Sequence, residues 1–311
     1  MKVVALAGGV GGAKLAYGLY HSMDGDDLTI VVNTGDDFYH YGLYISPDVD
    51  TVCYTLAGEG NPETGWGLRN ETWNVYEQLK KIGGPDWFRL GDGDLATHLE
   101  RTRRLQDGES LSDITRHFCR VWGIDTTILP MTDQPVQTMV NTVEYGQIPF
   151  QEYFVKYQHK PKTTGYTFAG IDSAKPVPGF IQAVEDADVV IICPSNPFVS
   201  IQPIISLSGV QQAVTKKNVI AVSPIIAGKA LKGPAAKMFQ DQGYKPSVFS
   251  VAKYYEDFLT GIVMDNSDAD QQKLIEQIGI ICLRTDTLMN NSQDRIRLAQ
   301  DVLRFCGYLG K

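Results

Sequence analysis

Acidic side chains are concentrated in two short segments near the start of the chain. Asn33–Asp37 reads NTGDD and Ser46–Thr51 reads SPDVDT. Crowded carboxylates repel one another unless a cation or a proton lies among them, and a hard divalent ion such as Mg²⁺ prefers carboxylate oxygens. We therefore predict a magnesium site formed by Asp36, Asp37 and Asp50. The alternative is that most of these acids only stabilise turns and helix ends.

A glycine-rich loop follows the first apolar segment. Gly8–Lys14 reads GGVGGAK, and in such a loop backbone N–H groups and the helix dipole favour a bound phosphate. It is not a P-loop, because Ala13 and Leu15 stand where a glycine and a magnesium-binding Ser or Thr are needed. The third glycine and the ribose-binding acid of the dinucleotide fingerprint are also missing. A tight turn without a ligand is the alternative. The predicted anion site consists of Gly8, Gly9, Gly11, Gly12 and Lys14.

A third polar segment, Arg89–His98, reads RLGDGDLATH. We predict that Asp92 joins the metal site or acts on a substrate hydroxyl, and that Arg89 pairs with a phosphate or a polar heterocycle. A surface salt bridge is the alternative for both. Asp94 is interpreted as the N-cap of a following helix, because leucines at helical spacing come after it. His98 is a further catalytic candidate, although histidines more often have structural roles.

A proline-bracketed turn, Pro194–Pro197 (PSNP), follows a strongly apolar segment late in the chain. We expect Ser195 and Asn196 to donate hydrogen bonds to a ribose or a base, and a turn that merely ends a strand is the alternative. Aromatic residues offer a stacking surface for a planar ligand, although buried aromatic rings more often pack against one another. These are Phe150, Tyr153, Phe154 and Tyr157.

The elements around these segments alternate between apolar strands and helical patterns. Val3–Ala7, Leu28–Val32 and Val189–Cys193 are continuous apolar runs, which is typical of parallel strands buried on both faces. The pattern predicts an α/β fold with a doubly wound, Rossmann-like parallel sheet. The middle of the chain mixes helical and strand-like stretches, so we predict an inserted α+β cap. The predicted core comprises residues 1–64 and 176–311, and the insertion comprises residues 65–175.

The amino-acid composition argues against some classes of binding partner. The 311 residues include 28 Lys and Arg against 36 Asp and Glu, a net charge of −8, which disfavours a nucleic-acid binder. Five scattered cysteines without a C-x-x-C pair suggest neither a zinc site nor a disulfide framework. With neither a signal peptide nor an apolar run of about 20 residues, we expect a cytoplasmic protein without a membrane partner.

Taken together, these segments form an ordered series over nearly the whole chain. The series resembles the 2-phospho-L-lactate transferase (CofD) family of coenzyme F420 biosynthesis. Each motif alone is weak, but the ordered series is highly specific. The motifs that carry the resemblance are GGVGGAKL at 8–15, NTGDD at 33–37, SPDVDT at 46–51, LGDGDLATH at 90–98, PSNP at 194–197 and VSPII at 222–226.

The resemblance implies a reaction. Such a phospho-group transferase moves a 2-phospho-acid, the 2-phospholactate or phosphoenolpyruvate moiety, from a guanosine-diphospho-activated donor. The acceptor is the ribityl hydroxyl of 7,8-didemethyl-8-hydroxy-5-deazariboflavin (Fo), GMP is released, and Mg²⁺ is required. By resemblance, Asp50 and Arg89 contact Fo, and the glycine loop with Ser195 and Asn196 holds the guanylyl diphosphate. Asp50 would orient the attacking hydroxyl, accept its proton or hold Mg²⁺. The resemblance also implies a homodimer.

The sequence departs from the family pattern at one position of the glycine loop, and two other functions are rival interpretations. The family pattern leads us to expect GGTG where residues 8–11 read GGVG, so one side-chain hydroxyl is lost while the backbone donors stay. The first rival is a nucleotide-sugar-binding regulator of the YvcK-like gluconeogenesis-factor group, against which the SPDVDT and LGDGDLATH segments argue. The second is a nicotinamide-dependent oxidoreductase, against which the broken fingerprint argues.

Overall fold

The apolar segments form the strands of an α/β protein. The computed structural model describes residues 1–309. The strands are β1 (Val3–Ala7), β2 (Leu28–Val32), β3 (Phe38–His40), β4 (Leu43–Ile45), β5 (Thr127–Pro130), β6 (Gln137–Thr142), β7 (Gly146–Pro149), β8 (Thr163–Ala169), β9 (Val189–Ile192), β10 (Asn218–Val222), β11 (Ile225–Ile226), β12 (Lys229–Ala230), β13 (Gly261–Asp265) and β14 (Ile281–Thr285).

Helices connect and cover these strands. The α-helices are α1 (Gly9–Tyr20), α2 (Pro47–Leu56), α3 (Asn74–Lys81), α4 (Asp92–Gln106), α5 (Leu111–Val121), α6 (Phe180–Asp186), α7 (Gln202–Ser206), α8 (Val210–Val214), α9 (Ala235–Asp241), α10 (Val248–Tyr254), α11 (Gln272–Gln277) and α12 (Ser292–Leu309). No helix within residues 1–309 is both long and apolar enough to cross a bilayer.

Seven strands form one parallel sheet in the order β14-β13-β10-β9-β1-β2-β5. Strand β1 shows why the sequence reads as an unbroken apolar run. Val3, Ala5 and Ala7 face one hydrophobic cluster with α1 and α12, whereas Val4 and Leu6 face a second cluster on the opposite side. Both faces of the sheet are therefore buried, and the predicted doubly wound α/β fold is confirmed.

The direction in which the chain adds strands to the sheet reverses beside β1. The chain proceeds from β1 to β2 and β5 on one side, and β9, β10, β13 and β14 continue on the other side. The connections after β1 and β9 therefore lead to opposite sides of β1, although their first residues pack against each other. We call this point at the carboxyl edge of the sheet the crevice. This position is where open α/β sheets bind ligands. The glycine loop and the PSNP turn both lie there.

The chain between β2 and β9 contains strands β3–β8 and helices α2–α6. Strands β6, β7 and β8 form a separate antiparallel sheet, and β3 pairs with β4 as a hairpin. One strand in the predicted insertion 65–175 belongs elsewhere, because β5 pairs in parallel with β2 at the edge of the central sheet. The segments outside this sheet are thus residues 33–126 and 131–188, and they frame the carboxyl edge.

Candidate active site

Two helices bring four polar side chains together at this edge. Helix α2 contributes Asp50, and α4 contributes Asp94, His98 and Arg101. The three α4 residues are separated by four and three positions, so they lie on one face of that helix. Asp50, His98 and Arg101 are 5%, 1% and 1% exposed, respectively. We call these four residues the acid site.

Close contacts join the members of the acid site. The Arg101 guanidinium donates to Asp50 Oδ1 and forms a buried ion pair with it. Arg101 Nη1 also lies 3.2 Å from His98 Nδ1, and because a guanidinium can only donate, Nδ1 is the acceptor. The proton of a neutral imidazole then lies on Nε2, which is 3.3 Å from Asp94 Oδ2. The Tyr54 hydroxyl donates to Asp94 Oδ1 at 2.8 Å.

Burial and charge act in opposite directions on these groups. Burial raises the pKa of Asp50, although the Arg101 and His98 charges offset part of the effect. Burial also acts to raise the pKa of Asp94, but hydrogen bonding and charge from His98 outweigh it and the net direction is downward. Burial lowers the pKa of Arg101 less than the Asp50 carboxylate raises it. The site therefore holds a permanent cation beside a carboxylate with raised proton affinity.

A second group of acids adjoins the acid site. The Asp37 carboxylate accepts hydrogen bonds from Ser46 Oγ at 2.7 Å and from Tyr44 Oη at 3.0 Å. Burial raises the pKa of Asp37, and burial together with the charges of Asp48 and Asp37 raises that of Asp36. Oδ1 of Asp36 and Oδ1 of Asp37 are buried without a hydrogen-bond partner. These unpartnered oxygens favour a cation or a protonated carboxyl at this position.

The chemistry of the donor set supports a divalent cation at the acid site. Within residues 1–309, Asp50, Asp94 and His98 are the three metal-ligating side chains whose ligand atoms lie within 4.8 Å of one another. Asp50 Oδ2 is buried without a hydrogen-bond partner. Two carboxylates suit Mg²⁺. The imidazole, whose Nδ1 accepts from Arg101 and whose Nε2 carries the proton, lies beside them as a hydrogen-bond donor. The structure thus groups Asp50 with Asp94 and His98 rather than with the predicted Asp36 and Asp37.

The two neighbouring acids of the LGDGD segment lie in different surroundings from those expected. Asp92 lies outside the acid site and accepts hydrogen bonds from Asn74 N at 3.0 Å and Val75 N at 3.0 Å. It therefore stabilises the start of α3, and its hydrogen bonds from Thr72 and this backbone lower its pKa to about 2. Asp94 is not an N-cap, because α4 already begins at Asp92.

Arg89 and the predicted stacking residues lie in different surroundings. Arg89 is exposed, and its Cζ lies 4.1 Å from the centre of the Trp73 ring in a cation–π contact. Phe150 and Tyr153 belong to the hydrophobic core, and the aromatic residues 150–157 pack on neighbouring rings. Other rings cluster beside the second acid group instead. They are Phe38, His40, Trp87 and Phe88.

The glycine loop is closely packed against the turn after β9. A Cβ on Gly11 would overlap the Pro194 carbonyl oxygen, and one on Gly12 would lie 2.5 Å from Ser195 Oγ. Ser195 Oγ accepts from Gly8 N at 3.0 Å and donates to Gly8 O at 2.8 Å. Gly9 has a φ of +57°, which disfavours other residues. The absence of side chains thus allows β1 and β9 to approach at the crevice.

The Asp48 carboxylate, which projects from α2, lies at the start of helix α1. Its Oδ2 accepts from Asn33 Nδ2 at 3.0 Å, and a hydrogen bond from the Gly9 backbone also reaches the carboxylate. Burial raises the pKa of Asp48 to about 6, although these two hydrogen bonds favour the anion. A carboxylate at a helix N-terminus is stabilised by the helix dipole. Gly8 and Gly9 therefore already face an acid of the protein itself.

The remaining predicted residues also have partners. The Asn196 side chain accepts from Phe198 N at 3.0 Å and so begins the following helical turn. Lys14 lies one turn into α1 and donates to the Met289 carbonyl at 2.8 Å. Both residues, like Ser195, lie near the crevice, and their roles toward a nucleotide stay predictions.

Sequence reasoning missed Arg101, Asp94 and Tyr54 as members of the acid site. The signal available for the first two was the polar spacing on α4, where Asp94, His98 and Arg101 recur at one helical face. Leu99, assigned to an apolar face, is 53% exposed. No local pattern identified Tyr54, because its contact with Asp94 joins two helices that are distant in sequence.

Comparisons with known proteins identify the family of the chain. The profile of the family described as 2-phospho-L-lactate transferase CofD matches residues 3–298. A phosphoenolpyruvate transferase from Kitasatospora aureofaciens is 40% identical over 311 residues, which cover 97% of this chain and 97% of that protein. A 2-phospho-L-lactate transferase from Methanosarcina mazei is 38% identical over 302 residues, covering 97% of this chain and 99% of that protein.

A solved structure shares the fold. It is a UPF0052-family protein from Bacillus halodurans with a TM-score of 0.63 and 15% identity, and the match covers 97% of this chain and 98% of that chain. At this identity the likeness concerns the fold alone. The family profile and the two curated relatives, in contrast, extend over nearly the whole sequence. The chain therefore belongs to the 2-phospho-L-lactate transferase CofD family and is a transferase.

Proposed function

We propose that this protein transfers a 2-phospho-acid from a guanosine-diphospho-activated donor to the ribityl hydroxyl of Fo, with release of GMP, in coenzyme F420 biosynthesis. The family membership and the two transferase names among its relatives support this reaction class. The observation that carries the proposal is the unpartnered, buried Oδ2 of Asp50 beside Asp94 and His98 at the crevice.

The acid site fits the demands of phosphoryl transfer, in which positioning and charge neutralisation supply most of the catalysis. Arg101 fixes Oδ1 of Asp50 and leaves Oδ2 available. Oδ2 can accept a hydrogen bond from the acceptor hydroxyl and orient its oxygen toward phosphorus. The raised pKa of Asp50 also makes this carboxylate a better proton acceptor than an exposed aspartate.

Magnesium completes the proposed site. Asp50 and Asp94 would hold the ion, which neutralises phosphate charge when bound, and His98 would orient Asp94 through its Nε2–H. The ribityl oxygen forms a P–O bond to the phosphorus of the phospho-acid while its proton passes to Asp50. The P–O bond between that phosphorus and GMP breaks, and its electron pair leaves on GMP. The aromatic cluster of Phe38, Trp87 and Phe88 offers flat surfaces for a deazaflavin ring beside these acids.

Fo fluorescence provides the first test. Purified protein is titrated into Fo with and without GDP and Mg²⁺, and we expect saturable binding that the nucleotide alters. Turnover with synthetic lactate-, enolpyruvate- and glycerate-type donors then identifies the phospho-acid. Absence of Fo binding under every condition, together with a thermal shift induced by a UDP-sugar, would instead favour the nucleotide-sugar regulator.

A matched set of variants tests the acid assignment. Asp50→Asn and Asp94→Asn are expected to lower transfer by at least a hundredfold, because an amide is neither a base nor a good metal ligand. Asp92→Asn, two residues from Asp94, should keep most of the activity since Asp92 stabilises α3. Loss of transfer in the Asp92 variant alone would reverse this assignment.

The proposal places the reaction in the cytoplasm and the enzyme in a homodimer. The homodimer rests on the family resemblance, and the location rests on the scattered cysteines and on the lack of a signal peptide or a long apolar run in the sequence. Sedimentation of the purified protein across a concentration series tests the dimer directly. A monomer at all concentrations would contradict it.

A further inference from the structure

A second cluster of charged side chains lies near the glycine loop, and its charge is positive. It consists of Lys14 on α1, Lys232 after β12 and Arg295 on α12, and we call it the cation cluster. Burial lowers the pKa of Lys14, and the positive charges of Arg295 and Lys232 lower it further. Contacts agree with this proximity, because the Arg295 guanidinium lies 5.2 Å from the ring centre of Tyr17, three residues after Lys14 on α1.

Contacts place this cluster against the glycine loop. Lys14 follows Val10 by four positions, so both lie on one face of α1. The Lys232 ammonium donates to the Thr64 carbonyl. A Cβ on Gly65 would lie 2.6 Å from Val10 Cγ1 and 3.2 Å from Lys232 Nζ. The segment at Thr64 and Gly65 therefore lies over both the loop and the cluster.

The positive charge of the cluster is not balanced by the protein. Among the residues the structure describes, 1–309, no carboxylate forms a salt bridge with Lys14, Lys232 or Arg295. Arg295 Nε is buried without a hydrogen-bond partner, and its guanidinium lies 5.2 Å from the Tyr17 ring centre. In a chain with net charge −8, three unpaired cations at one place need an anion.

The topology places the cluster where ligands of this fold bind. Lys232 lies in the connection after β10, and Arg295 follows β14, so both come from the carboxyl edge of the sheet. The start of α1 is less suited to a phosphate, because the Asp48 carboxylate already faces Gly9 there. An anion is thus repelled from the first turn of α1 and attracted one turn further, toward Lys14.

We propose that the cation cluster is the subsite for the diphosphate of the guanosine nucleotide donor, with the segment at Thr64 and Gly65 as its cover. The inference rests on the proposed function and deepens it by naming Lys232 and Arg295. The diphosphate of the donor is esterified at both ends and carries about two negative charges, and free GDP carries about three; a cluster of cations attracts both. To reach the phosphates, the Lys14 ammonium would turn away from the Met289 carbonyl to which it now donates.

Calorimetric titration of the full-length protein with GDP, inorganic pyrophosphate and guanosine tests the subsite. Lys232→Gln and Arg295→Gln are each expected to weaken GDP and pyrophosphate binding about tenfold and to leave guanosine binding unchanged. Arg295→Lys should recover part of the loss, since it restores a charge. The matched controls are Lys229→Gln in β12, three residues before Lys232, and Arg304→Gln on the same helix as Arg295.

Each outcome separates the subsite from the proposed reaction. GDP and pyrophosphate binding within twofold of wild type in both cluster variants would overturn the subsite while the transferase proposal stands. Equal weakening of guanosine binding would assign the effect to altered structure and would also overturn it. Wild-type protein that binds pyrophosphate but not GDP would retain the anion subsite and contradict the guanosine donor. Wild-type protein that binds neither anion would contradict both.

Discussion

Replacing Arg101 by methionine removes a buried cation and leaves Asp50 as an uncompensated buried carboxylate. Breaking a buried ion pair in this way costs about 3–5 kcal/mol. An unfolding entropy of about 2.1 cal/mol/K per residue gives about 650 cal/mol/K for the 311 residues, so the expected fall in Tm is about 5–8 °C. The exposed neighbour Arg103, which pairs with Glu100 and Asp107, provides the matched control. Arg103→Met should cost at most about 1 kcal/mol.

Thermal melts in EDTA between pH 5 and pH 8 measure the difference. Burial raises the pKa of folded Asp50, and loss of Arg101 raises it further. A raised folded pKa contributes stability that is complete below the unfolded pKa of about 4 and is lost as pH rises through the folded value. The deficit of Arg101→Met should therefore grow from pH 5 to pH 8. In the double variant with Asp50→Asn, much of the deficit should disappear. Equal Tm losses for Arg101→Met and Arg103→Met would refute this account of the acid site.

Three further predictions concern the residues around the crevice. Burial raises the pKa of Asp48 from 3.8 to about 6, so the stability that the protonated carboxyl contributes is lost as pH rises through about 6. Asp48→Asn should therefore be about 3 kcal/mol more stable than wild type at pH 8 and equal to it at pH 4. Parallel melting profiles for the two proteins would contradict this. Gly11→Ala should cost about 1–3 kcal/mol in chemical denaturation because its Cβ meets Pro194, whereas Gly307→Ala, which has free space, should not destabilise α12. Arg89→Ala should weaken Fo binding more than GDP binding in paired titrations, and equal losses would argue against Arg89 beside Fo.

Local sequence patterns predicted the elements whose own residues determine them. The apolar runs of β1, β2 and β9 identified a sheet buried on both faces. Ser110 with Asp113 is a capping-box pattern that predicts a helix start, and in the structure the Ser110 side chain accepts from Asp113 N at the start of α5. Asn70 is also a residue type that often begins a helix, but it has a φ of +56° and α3 begins at Asn74. A carboxylate distant in sequence, Asp92, stabilises that start, so no local pattern contained the information.

The candidate site shows the same division. Asp50 and His98 were recognised from their segments, and the structure brings them together. The positions of Asp94 and Arg101 depended on how α4 faces α2, which the packing of two helices decides. Arginine is also expected at protein surfaces. Complete burial of Arg101 therefore becomes evident only with Asp50 as its partner.

The central position of β1 has a consequence for how the chain folds during synthesis. One edge of β1 pairs with β2 soon after both have been made, but the other edge awaits β9, whose first pair joins Val3 to Val189. Until then a nascent chain carries an open, wholly apolar strand edge, which is a template for association with other chains. Polypeptides that terminate before residue 189 should aggregate, whereas extension through β9 protects that edge.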